Sequence, residues 1–338
     1  MRIAVTGSIA TDHLLSFPGR FTEQFVADRL DRVSLSFLAD SLEVRRGGVA
    51  ANIALGLARL GLDPVLVGAA GTDFAEYAAW LRANGVATDA VLVSETLHTA
   101  RFVCTTDLDH NQIATFYAGA MAEASRIGLA DVAERTGRPD LVVVGPNDPE
   151  AMLRHTDECR QQGIPFAADP SQQLARLSTE QVRRLVDGAR LLFTNEYEAA
   201  LLLERTGWTE DEVLERTGAW LVTRGADGVD IARAGRERLH VDAVPTDRAV
   251  DPTGVGDAFR AGFLAGGARG LPPEPAARLG CALATVVLET VGTQEYVLTG
   301  ADLLRRIEAA HGPAAARETG PGLGPDRTPS NFKQEAIA

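Results

Sequence analysis

Lysine is almost absent from this chain, which has a single lysine, Lys333, among 338 residues. A Walker-type phosphate loop needs the sequence Gly-Lys-Ser/Thr, so that way of binding ATP is excluded. A dinucleotide-binding Gly-x-Gly-x-x-Gly is also missing after the first apolar segment, residues 3–5. Any phosphate group that this chain binds must therefore be held by backbone N–H groups, arginine side chains or a metal ion.

Cysteine and histidine are scarce, at three and six residues, and they form no C-x-x-C motif or Cys/His cluster. Neither a disulfide framework nor a structural zinc site is indicated. The net charge of −13 argues against nonspecific binding to nucleic acids or anionic membranes. No signal peptide or membrane-spanning run is recognisable. The sequence predicts a reduced, cytoplasmic protein, and its 45% hydrophobic content supports a full core.

The most informative segment is residues 251–257, Asp-Pro-Thr-Gly-Val-Gly-Asp, directly before an apolar helical pattern. A helix starting here would point the N–H groups of Gly254, Val255 and Gly256 at one spot, which favours an anion such as phosphate. Asp257 would repel that anion, so its presence suggests a general base that takes a proton from an attacking hydroxyl. A turn with an N-capping aspartate is the alternative.

A second glycine motif lies far upstream, where Gly47 and Gly48 precede a helical pattern over residues 49–60. Glycines at a helix start allow a ligand to approach the backbone closely. Asn52 adds a hydrogen-bond donor and acceptor to an otherwise apolar first turn. A plain β-turn with a surface asparagine is the alternative.

Short apolar runs alternate with helical patterns along the chain. This alternation predicts an α/β fold with a doubly wound, mainly parallel sheet whose strands are buried on both faces. The predicted strands are 3–5, 65–67, 141–144, 166–168, 191–193 and 221–223, and the predicted helices are 49–60, 74–84, 149–162, 179–187 and 196–206. Ligands bind at the carboxyl ends of such strands. Ser8, Asp12, Asp169, Asn195 and Gly225 are expected at that edge.

Two segments, 13–46 and 97–118, are predicted to be extended, without intervening helices. Within the second, residues 99–106 and 112–117 could pair as a hairpin, so the two segments predict a minor β subdomain. The main domain is expected to cover residues 1–311. Residues 312–338 are rich in glycine, proline and polar residues without apolar periodicity, and we expect a disordered C-terminal tail.

Together, the two glycine motifs resemble the paired signatures of the ribokinase-like (PfkB) family of sugar and nucleoside kinases. Further segments in the family's order and spacing are 1–8 with Asp12, 169–173, 195–198 and 223–228, so the resemblance covers about residues 1–311. Within the family, the chain is similar to bacterial adenosine kinases of actinobacterial type. One departure is Asp251-Pro252, where the signature usually reads Asp-Thr, because proline removes a backbone donor.

The resemblance implies that the β subdomain is a lid over the substrate and often a dimer contact. It also implies catalysis by Asp257, with the amides of Gly254 and Gly256 holding the developing charge. The predicted substrate-binding residues are Ser8, Asp12, Ser36, Gly48, Asn52, Phe102, Phe116, Gln172, Gln173, Arg176 and Asp257.

Individual side chains suggest how a nucleoside would be held. Asp12 can accept hydrogen bonds from two ribose hydroxyls, or form a turn, and Asn52 would hold the same ribose. Phe102 and Phe116 could sandwich a purine, or be core aromatics of a hairpin.

The loop after Asp169 offers further polar side chains. Gln172 and Gln173 could hydrogen-bond the base or ribose, or be a solvated loop. Arg176 could neutralise the transferring phosphate, or be an ordinary exposed arginine.

Residues 195–198 resemble the family's N-x-x-E motif, which implies that Glu198 orients water bound to Mg²⁺. The predicted nucleotide-binding residues are Asn195, Thr223, Arg224, Gly225, Ala226, Asp227, Gly228 and Gly256. The resemblance alone suggests a monovalent cation, K⁺, near Asp251 and Thr253. The predicted cofactors are therefore ATP, Mg²⁺ and this K⁺.

The leading functional prediction is ATP-dependent phosphorylation of the 5′-hydroxyl of adenosine. Phe102 and Phe116 favour a nucleoside, since a free sugar offers no base for stacking. A sugar kinase of ribokinase or fructokinase type is the alternative enzyme, and a non-catalytic nucleotide-binding protein is the alternative from another class. The predicted assembly is a homodimer joined through the lids.

Overall fold

The computed structural model describes residues 1–25 and 34–324. Its strands are β1 (Ile3–Thr6), β2 (Ala10–Ser16), β3 (Ser41–Gly47), β4 (Val65–Ala70), β5 (Val91–Val93), β6 (Ala100–Thr106), β7 (Gln112–Tyr117), β8 (Leu141–Val144), β9 (Phe166–Ala168), β10 (Leu191–Asn195), β11 (Trp220–Thr223), β12 (Val229–Ala232) and β13 (Leu239–Val241). Its helices are α1 (Phe21–Gln24), α2 (Val49–Arg59), α3 (Ala75–Ala83), α4 (Leu129–Thr136), α5 (Pro149–Gln162), α6 (Thr179–Val186), α7 (Glu196–Thr206), α8 (Glu210–Arg216), α9 (Val255–Ala268), α10 (Pro273–Leu288) and α11 (Gly300–Thr319).

The larger sheet has nine strands in the order β13-β12-β11-β10-β9-β8-β1-β4-β5. Pairing is parallel from β5 to β11, whereas β12 and β13 add an antiparallel edge. The predicted doubly wound, mainly parallel sheet is confirmed. The chain moves outward from β1 through β4 and β5, then resumes at β8 on the other side of β1. This reversal makes the carboxyl ends of β1 and β8 the expected place for a ligand.

Alternate side chains of the central strands enter two different cores. Ile3 and Val5 of β1 pack into the cluster that contains α2, α9 and α10, while Ala4 between them packs into the cluster on the opposite face. Because both faces are covered, these strands contain apolar residues at consecutive positions instead of alternating with polar ones.

Helix ends follow local chemistry that is visible in the sequence. Helix α5 begins after Asp148, whose carboxylate accepts from two first-turn amides, and ends at Gly163, which is left-handed at φ 62°. Its bounds agree with the predicted 149–162. Helix α7 begins with a capping box between Asn195 and Glu198.

The smaller sheet, called the lid sheet below, has the order β3-β2-β6-β7. Strands β6 and β7 form the predicted hairpin. The prediction that residues 13–46 lack a helix is wrong for α1, a single turn whose Phe21 ring packs against both Phe17 and Phe37. One turn is too short to produce a recognisable helical period. Among the described residues, no helix is both long and apolar enough to cross a bilayer.

The structure differs from the expected disordered tail over residues 313–324. Gly312 breaks helix α11 at φ 86°, but the helix resumes at Pro313 and runs to Thr319. Ala315 and Thr319 are buried there, so this segment packs on the domain despite its glycine and proline content. Residues 325–338 lie outside the described part of the chain, and the prediction for them stays a prediction.

Candidate active site

One cavity of about 830 Å³ brings together most of the predicted substrate residues. It is lined by the lid sheet, by the loops after β1, β8 and β9, and by the starts of α2 and α9. The predicted residues that line it are Ser8, Asp12, Gly48, Asn52, Phe102, Phe116, Gln172, Gln173, Arg176, Asp251, Thr253, Gly254, Gly256 and Asp257. Ser36 is exposed and does not line it.

The start of α9 has the geometry of an anion-binding turn. Gly254 caps the helix at φ 77°, and a side chain there would also lie 2.9 Å from Thr293. Pro252 precedes the first residue of α9, so its missing N–H removes no hydrogen bond of the helix, and its carbonyl accepts a long 3.4 Å hydrogen bond from the Val255 amide. Amides in a helical first turn lack intrahelical partners. Gly254 and Gly256 lie on the cavity wall, so their amides and the helix dipole favour an anion there.

Asp257 is a buried carboxylate in the first turn of α9. Its Oδ2 accepts a 2.8 Å hydrogen bond from Asn52 Nδ2. Burial raises the pKa of Asp257 to about 7, with Asp169 and Glu198 adding to the rise, and with Arg260 and the Asn52 hydrogen bond opposing it. A carboxylate with this pKa can hold and release a proton near neutral pH.

The start of α2 is built on the first strand of the main sheet. The Ser8 hydroxyl accepts a 3.0 Å hydrogen bond from the Val49 amide, so Ser8 caps α2 while it also faces the cavity. Gly48 has φ 95°, and a Cβ there would lie 2.6 Å from the Ser8 carbonyl oxygen. Glycine is therefore required at position 48 because the backbone near Ser8 passes close to it. We had expected this glycine to allow a ligand to approach.

Asp12 lies on β2, opposite Arg45 of β3 in the lid sheet. The pKa of Asp12 is raised to about 6, mainly by burial and then by the nearby Glu295 and Asp251, against the opposing effect of Arg45. When ionised, this carboxylate accepts hydrogen bonds from hydroxyl groups in the cavity.

Phe102 and Phe116 are direct register partners on β6 and β7. Register partners lie side by side on the same face of a sheet, and both rings line the cavity, so they form one aromatic wall and not the two sides of the predicted sandwich. Phe116 is 51% exposed, which leaves its ring available to a ligand.

The loop after β9 presents both glutamines and Arg176 to the cavity. Gln173 is buried and donates through Nε2 to the Asn147 carbonyl at 2.9 Å. Gln172 and Arg176 are exposed, which suits contacts with a ligand.

A buried ion pair behind Asp257 was missed by the sequence analysis. Arg260 Nε lies 2.6 Å from Asp169 Oδ2, and Arg260 Nη2 donates to Asp169 Oδ1 at 2.7 Å. Arg260 follows Asp257 by three residues, so both lie on one face of α9. In the sequence, this ion pair could have been suspected from a lone arginine three residues after Asp257 in an otherwise apolar helical run.

Apart from Gly256, the predicted nucleotide-binding residues do not line this cavity. Glu198 accepts from the Asn195 amide at 2.8 Å, and burial raises its pKa. Residues 223–228 form the predicted turn between β11 and β12, with Gly225 and Gly228 at positive φ. Within the described ranges, no group of three or more His, Cys, Asp or Glu side chains could hold a metal ion by itself.

Asp251, predicted as a cation ligand, holds a turn together. Its Oδ1 accepts from the Thr253 amide at 2.9 Å and its Oδ2 accepts from the Gly292 amide at 3.0 Å. Other residues that line the cavity and were not singled out from sequence are Ala10, Leu14, Arg45, Val49, Ala118, Met121, Pro146, Gly292 and Thr293.

Comparisons with known proteins identify the family of this chain. The model of the pfkB family carbohydrate kinases matches residues 11–299. A nucleoside kinase of Methanothermobacter thermautotrophicus is 32% identical over 270 residues, which cover 79% of this chain and 85% of that protein. The structure of Burkholderia thailandensis nucleoside kinase in complex with inosine is 36% identical with a TM-score of 0.80, covering 92% of this chain and 98% of that one. Methanocaldococcus jannaschii nucleoside kinase gives 27% identity and a TM-score of 0.79, covering 91% and 98%.

Proposed function

Because the chain belongs to the pfkB family of carbohydrate kinases, we propose that it transfers the γ-phosphoryl group of ATP to the 5′-hydroxyl of a nucleoside, with adenosine as its substrate. The observation that carries the proposal is a single cavity that combines a base, an anion-binding turn and an aromatic wall. The relatives described as nucleoside kinases, and the inosine complex of one of them, support a nucleoside over a free sugar.

In this mechanism Asp257 is the general base. It accepts the proton of the 5′-hydroxyl as that oxygen bonds to the γ-phosphorus and the bond to the β,γ-bridging oxygen breaks. Its pKa of about 7 keeps a useful fraction ionised at neutral pH. The amides of Gly254 and Gly256 stabilise the charge on the transferring group, because phosphoryl transfer depends mainly on positioning and charge stabilisation. Arg176 adds a positive charge at the cavity wall.

The lid sheet carries contacts to both ribose and base, because Asp12, Phe102 and Phe116 are register neighbours on one face of β2, β6 and β7. Asp12 accepts from two ribose hydroxyls, and Asn52, on the first turn of α2, contacts the same sugar. The purine stacks on Phe102 and Phe116, where each base–aromatic contact contributes about 1–3 kcal/mol. The amides of Gln172 and Gln173 offer donors and acceptors to the base or ribose.

ATP is placed along the turn of residues 223–228, with Asn195 near its phosphates. When bound with ATP, Mg²⁺ neutralises the phosphate charge and prefers oxygen ligands together with several waters. Glu198, which forms the capping box with Asn195, suits that preference, because its carboxylate can accept a hydrogen bond from a metal-bound water. At the predicted K⁺ site, the Asp251 carboxylate already accepts hydrogen bonds from two amides, which leaves it less free to coordinate a cation.

The test is an ADP-release assay on the purified protein with Mg-ATP and adenosine, inosine, cytidine, ribose or fructose. We expect the highest kcat/KM for adenosine. As a control, Asp257→Asn should lose about 10²–10⁴-fold in kcat while it still binds adenosine, and Asp247→Asn, at an exposed position, should not change kcat. A preference for ribose or fructose would replace the proposal with a sugar kinase, and an inactive protein that binds ATP would reject it.

A further inference from the structure

A chain of buried hydrogen bonds runs from the base of the lid to the carboxylate of Asp257. Tyr77 OH donates to the Gly47 carbonyl at 2.9 Å, and Gln294 Nε2 donates to Tyr77 OH at 2.6 Å. Gln294 Nε2 also donates to Asn52 Oδ1 at 2.7 Å, and Asn52 Nδ2 donates to Asp257 Oδ2 at 2.8 Å. Gln294 is fully buried, and the Asn52, Tyr77 and Asp257 side chains are nearly so. These residues, together called the relay below, join β3, α3, α2 and α9.

The direction of the relay follows from its first member. The Gly47 carbonyl can only accept, so the Tyr77 hydroxyl must donate to it, and burial raises the pKa of Tyr77, which keeps the phenol protonated. The Tyr77 oxygen can then only accept from Gln294, whose NH₂ group has one further proton for Asn52 Oδ1. The Asn52 amide is thereby turned so that its NH₂ group faces Asp257. A donor there favours the ionised form of Asp257.

The reverse orientation leaves groups unsatisfied. If the Asn52 oxygen faced Asp257, the carboxyl group would have to be protonated, and the Gln294 amide would have to turn over. Its NH₂ group would then occupy the buried position where Gln294 Oε1 has no partner. An unpaired buried donor costs free energy.

Gln294 is the decisive donor to Asn52. Thr293 Oγ1 also lies 3.0 Å from Asn52 Oδ1, but it lies 3.1 Å from the Arg46 carbonyl as well, and one hydroxyl proton serves only one acceptor at a time. The charged groups that face Asp257 are Arg260 on its own helix, Asp169 after β9 and Glu198 on α7, and the buried phenol of Tyr296 also interacts with its charge. Asn52 is the one neutral donor among its partners within the described residues.

We propose that Gln294 and Tyr77 are positioning residues that fix the direction of the Asn52 amide and so hold Asp257 in its ionised, proton-accepting form. This inference rests on the proposed function. It adds two residues from outside both glycine motifs to the catalytic apparatus, and neither touches the reacting atoms.

The test compares pH profiles of kcat/KM for Tyr77→Phe, Gln294→Met and Gln294→Glu with the wild type. The relay predicts that the acidic limb moves to higher pH by about one unit in Tyr77→Phe and Gln294→Met, the scale of one hydrogen bond to a charged group. In Gln294→Glu it should move further, because the carboxylate attracts the Asn52 NH₂ group away from Asp257. All three variants should recover most of the wild-type kcat at pH 9.

A merely structural role predicts a different order. The near-isosteric Gln294→Glu would then be the mildest change, and activity would fall equally at every pH with an unmoved limb. That result would overturn the inference. Thr285→Val is the control, because it removes a buried hydroxyl whose hydrogen bonds, to the Val244 and Cys281 carbonyls, lie outside the relay.

A second measurement separates this inference from the proposed function. In protein labelled with ¹³C at aspartate carboxyl carbons, the Asp257 resonance is identified by its loss in Asp257→Asn and titrated without substrate. If the wild type turns over no nucleoside, the proposed function fails, yet the titration still tests the relay. A titration midpoint that is equal in the wild type, Tyr77→Phe and Gln294→Met would reject the relay.

Discussion

Asp257 and Asp12 lie in the same cavity, and each needs its negative charge for a different purpose. Asp257 must be ionised to accept the substrate's proton, and Asp12 must be ionised to accept hydrogen bonds from sugar hydroxyls. Burial raises both pKa values above the ordinary range for aspartate, to about 7 for Asp257 and about 6 for Asp12. The two carboxylates therefore become protonated in sequence as pH falls.

This order predicts the pH dependence of activity. We expect kcat/KM to be constant above about pH 8, to fall about tenfold per unit below pH 7 as Asp257 is protonated, and to fall more steeply below pH 6 as Asp12 follows. The measurement is kcat/KM for adenosine from pH 5 to pH 9 at constant ionic strength. A profile that stays flat down to pH 5.5 would contradict a raised pKa for the base.

Arg260 and Asp169 form an ion pair with almost no solvent access, at 7% and 0% exposure. Removal of one partner from a buried pair leaves an uncompensated charge, which typically costs about 3–5 kcal/mol. We therefore expect Arg260→Met to lower the free energy of unfolding by that amount, and Asp169→Asn in the same chain to restore part of it. Urea unfolding of both single variants and the double variant gives the coupling energy.

The surface pair of Arg305 and Asp302 supplies the control. The Arg305 side chain is 75% exposed, so Arg305→Met should change stability by less than about 1 kcal/mol. Equal effects of Arg260→Met and Arg305→Met would mean that the Arg260 pair is solvated in solution.

At the scale of elements, local signals explain what the sequence could predict. Helix α5 was predictable because Asp148 with Pro149 marks its start and Gly163 its end. The central strands were predictable because burial on both faces produces continuous apolar runs. The segment after Gly312 was not, because Pro313 in most contexts ends a helix, and only packing of Ala315 and Thr319 on the domain shows that this helix resumes.

The features of the site also divide into those that local sequence predicts and those that depend on the fold. The glycine motifs can be recognised from their local sequence. The Asn52–Asp257 and Asn52–Gln294 hydrogen bonds, in contrast, join residues that are 205 and 242 positions apart in the chain. Gln294 follows an unremarkable Gly-Thr pair, so its role depends on which helices the fold brings beside it. No local pattern could have identified it.

The hairpin of β6 and β7 carries the prediction for substrate choice. Phe102→Ala and Phe116→Ala should each weaken adenosine binding by about 1–3 kcal/mol and leave ribose binding unchanged, because ribose has no base to stack. Calorimetric titration measures both. Thr115→Ala is the control, since Thr115 neighbours Phe116 on the opposite face of β7. Unchanged adenosine affinity in both phenylalanine variants would assign the rings to packing alone.

The final turns of α11 predict a sharp boundary for truncation. A stop after Gly312 removes buried Ala315, the 2.8 Å ion pair of Glu318 with Arg278 and the Gly322 carbonyl that accepts from Arg269. We expect a loss of about 1–3 kcal/mol and a lower Tm. A stop after residue 324 should leave Tm and kcat unchanged. Calorimetry of both truncated chains checks this. Equal Tm values would support the prediction from composition that the whole segment after Gly312 is disordered.

At the scale of the whole molecule, the lid sheet has apolar side chains on both faces. Its inner face, with Phe102 and Phe116, lines the cavity. Alternation along β3 and β7 puts another set on the outer face, and Leu42, Val44, Ile113 and Tyr117 are between 40% and 59% exposed there. An exposed apolar face of this kind typically marks a site where another protein surface packs.

We predict that a second copy of the lid packs on this face, which gives a two-fold dimer in which the same outer face meets itself. Light scattering after size exclusion should give twice the chain mass of 35.9 kDa at micromolar concentration. Val44→Glu should produce monomers, because it buries a charge at the centre of the contact, and it should weaken nucleoside affinity, since the lids would lose their mutual support. Val93→Glu is the matched control, because Val93 is 53% exposed on β5, an edge strand of the larger sheet and not part of the lid sheet. A wild-type monomer with full activity at micromolar concentration would end the dimer hypothesis, and a Val44→Glu monomer with wild-type affinity would separate assembly from substrate binding.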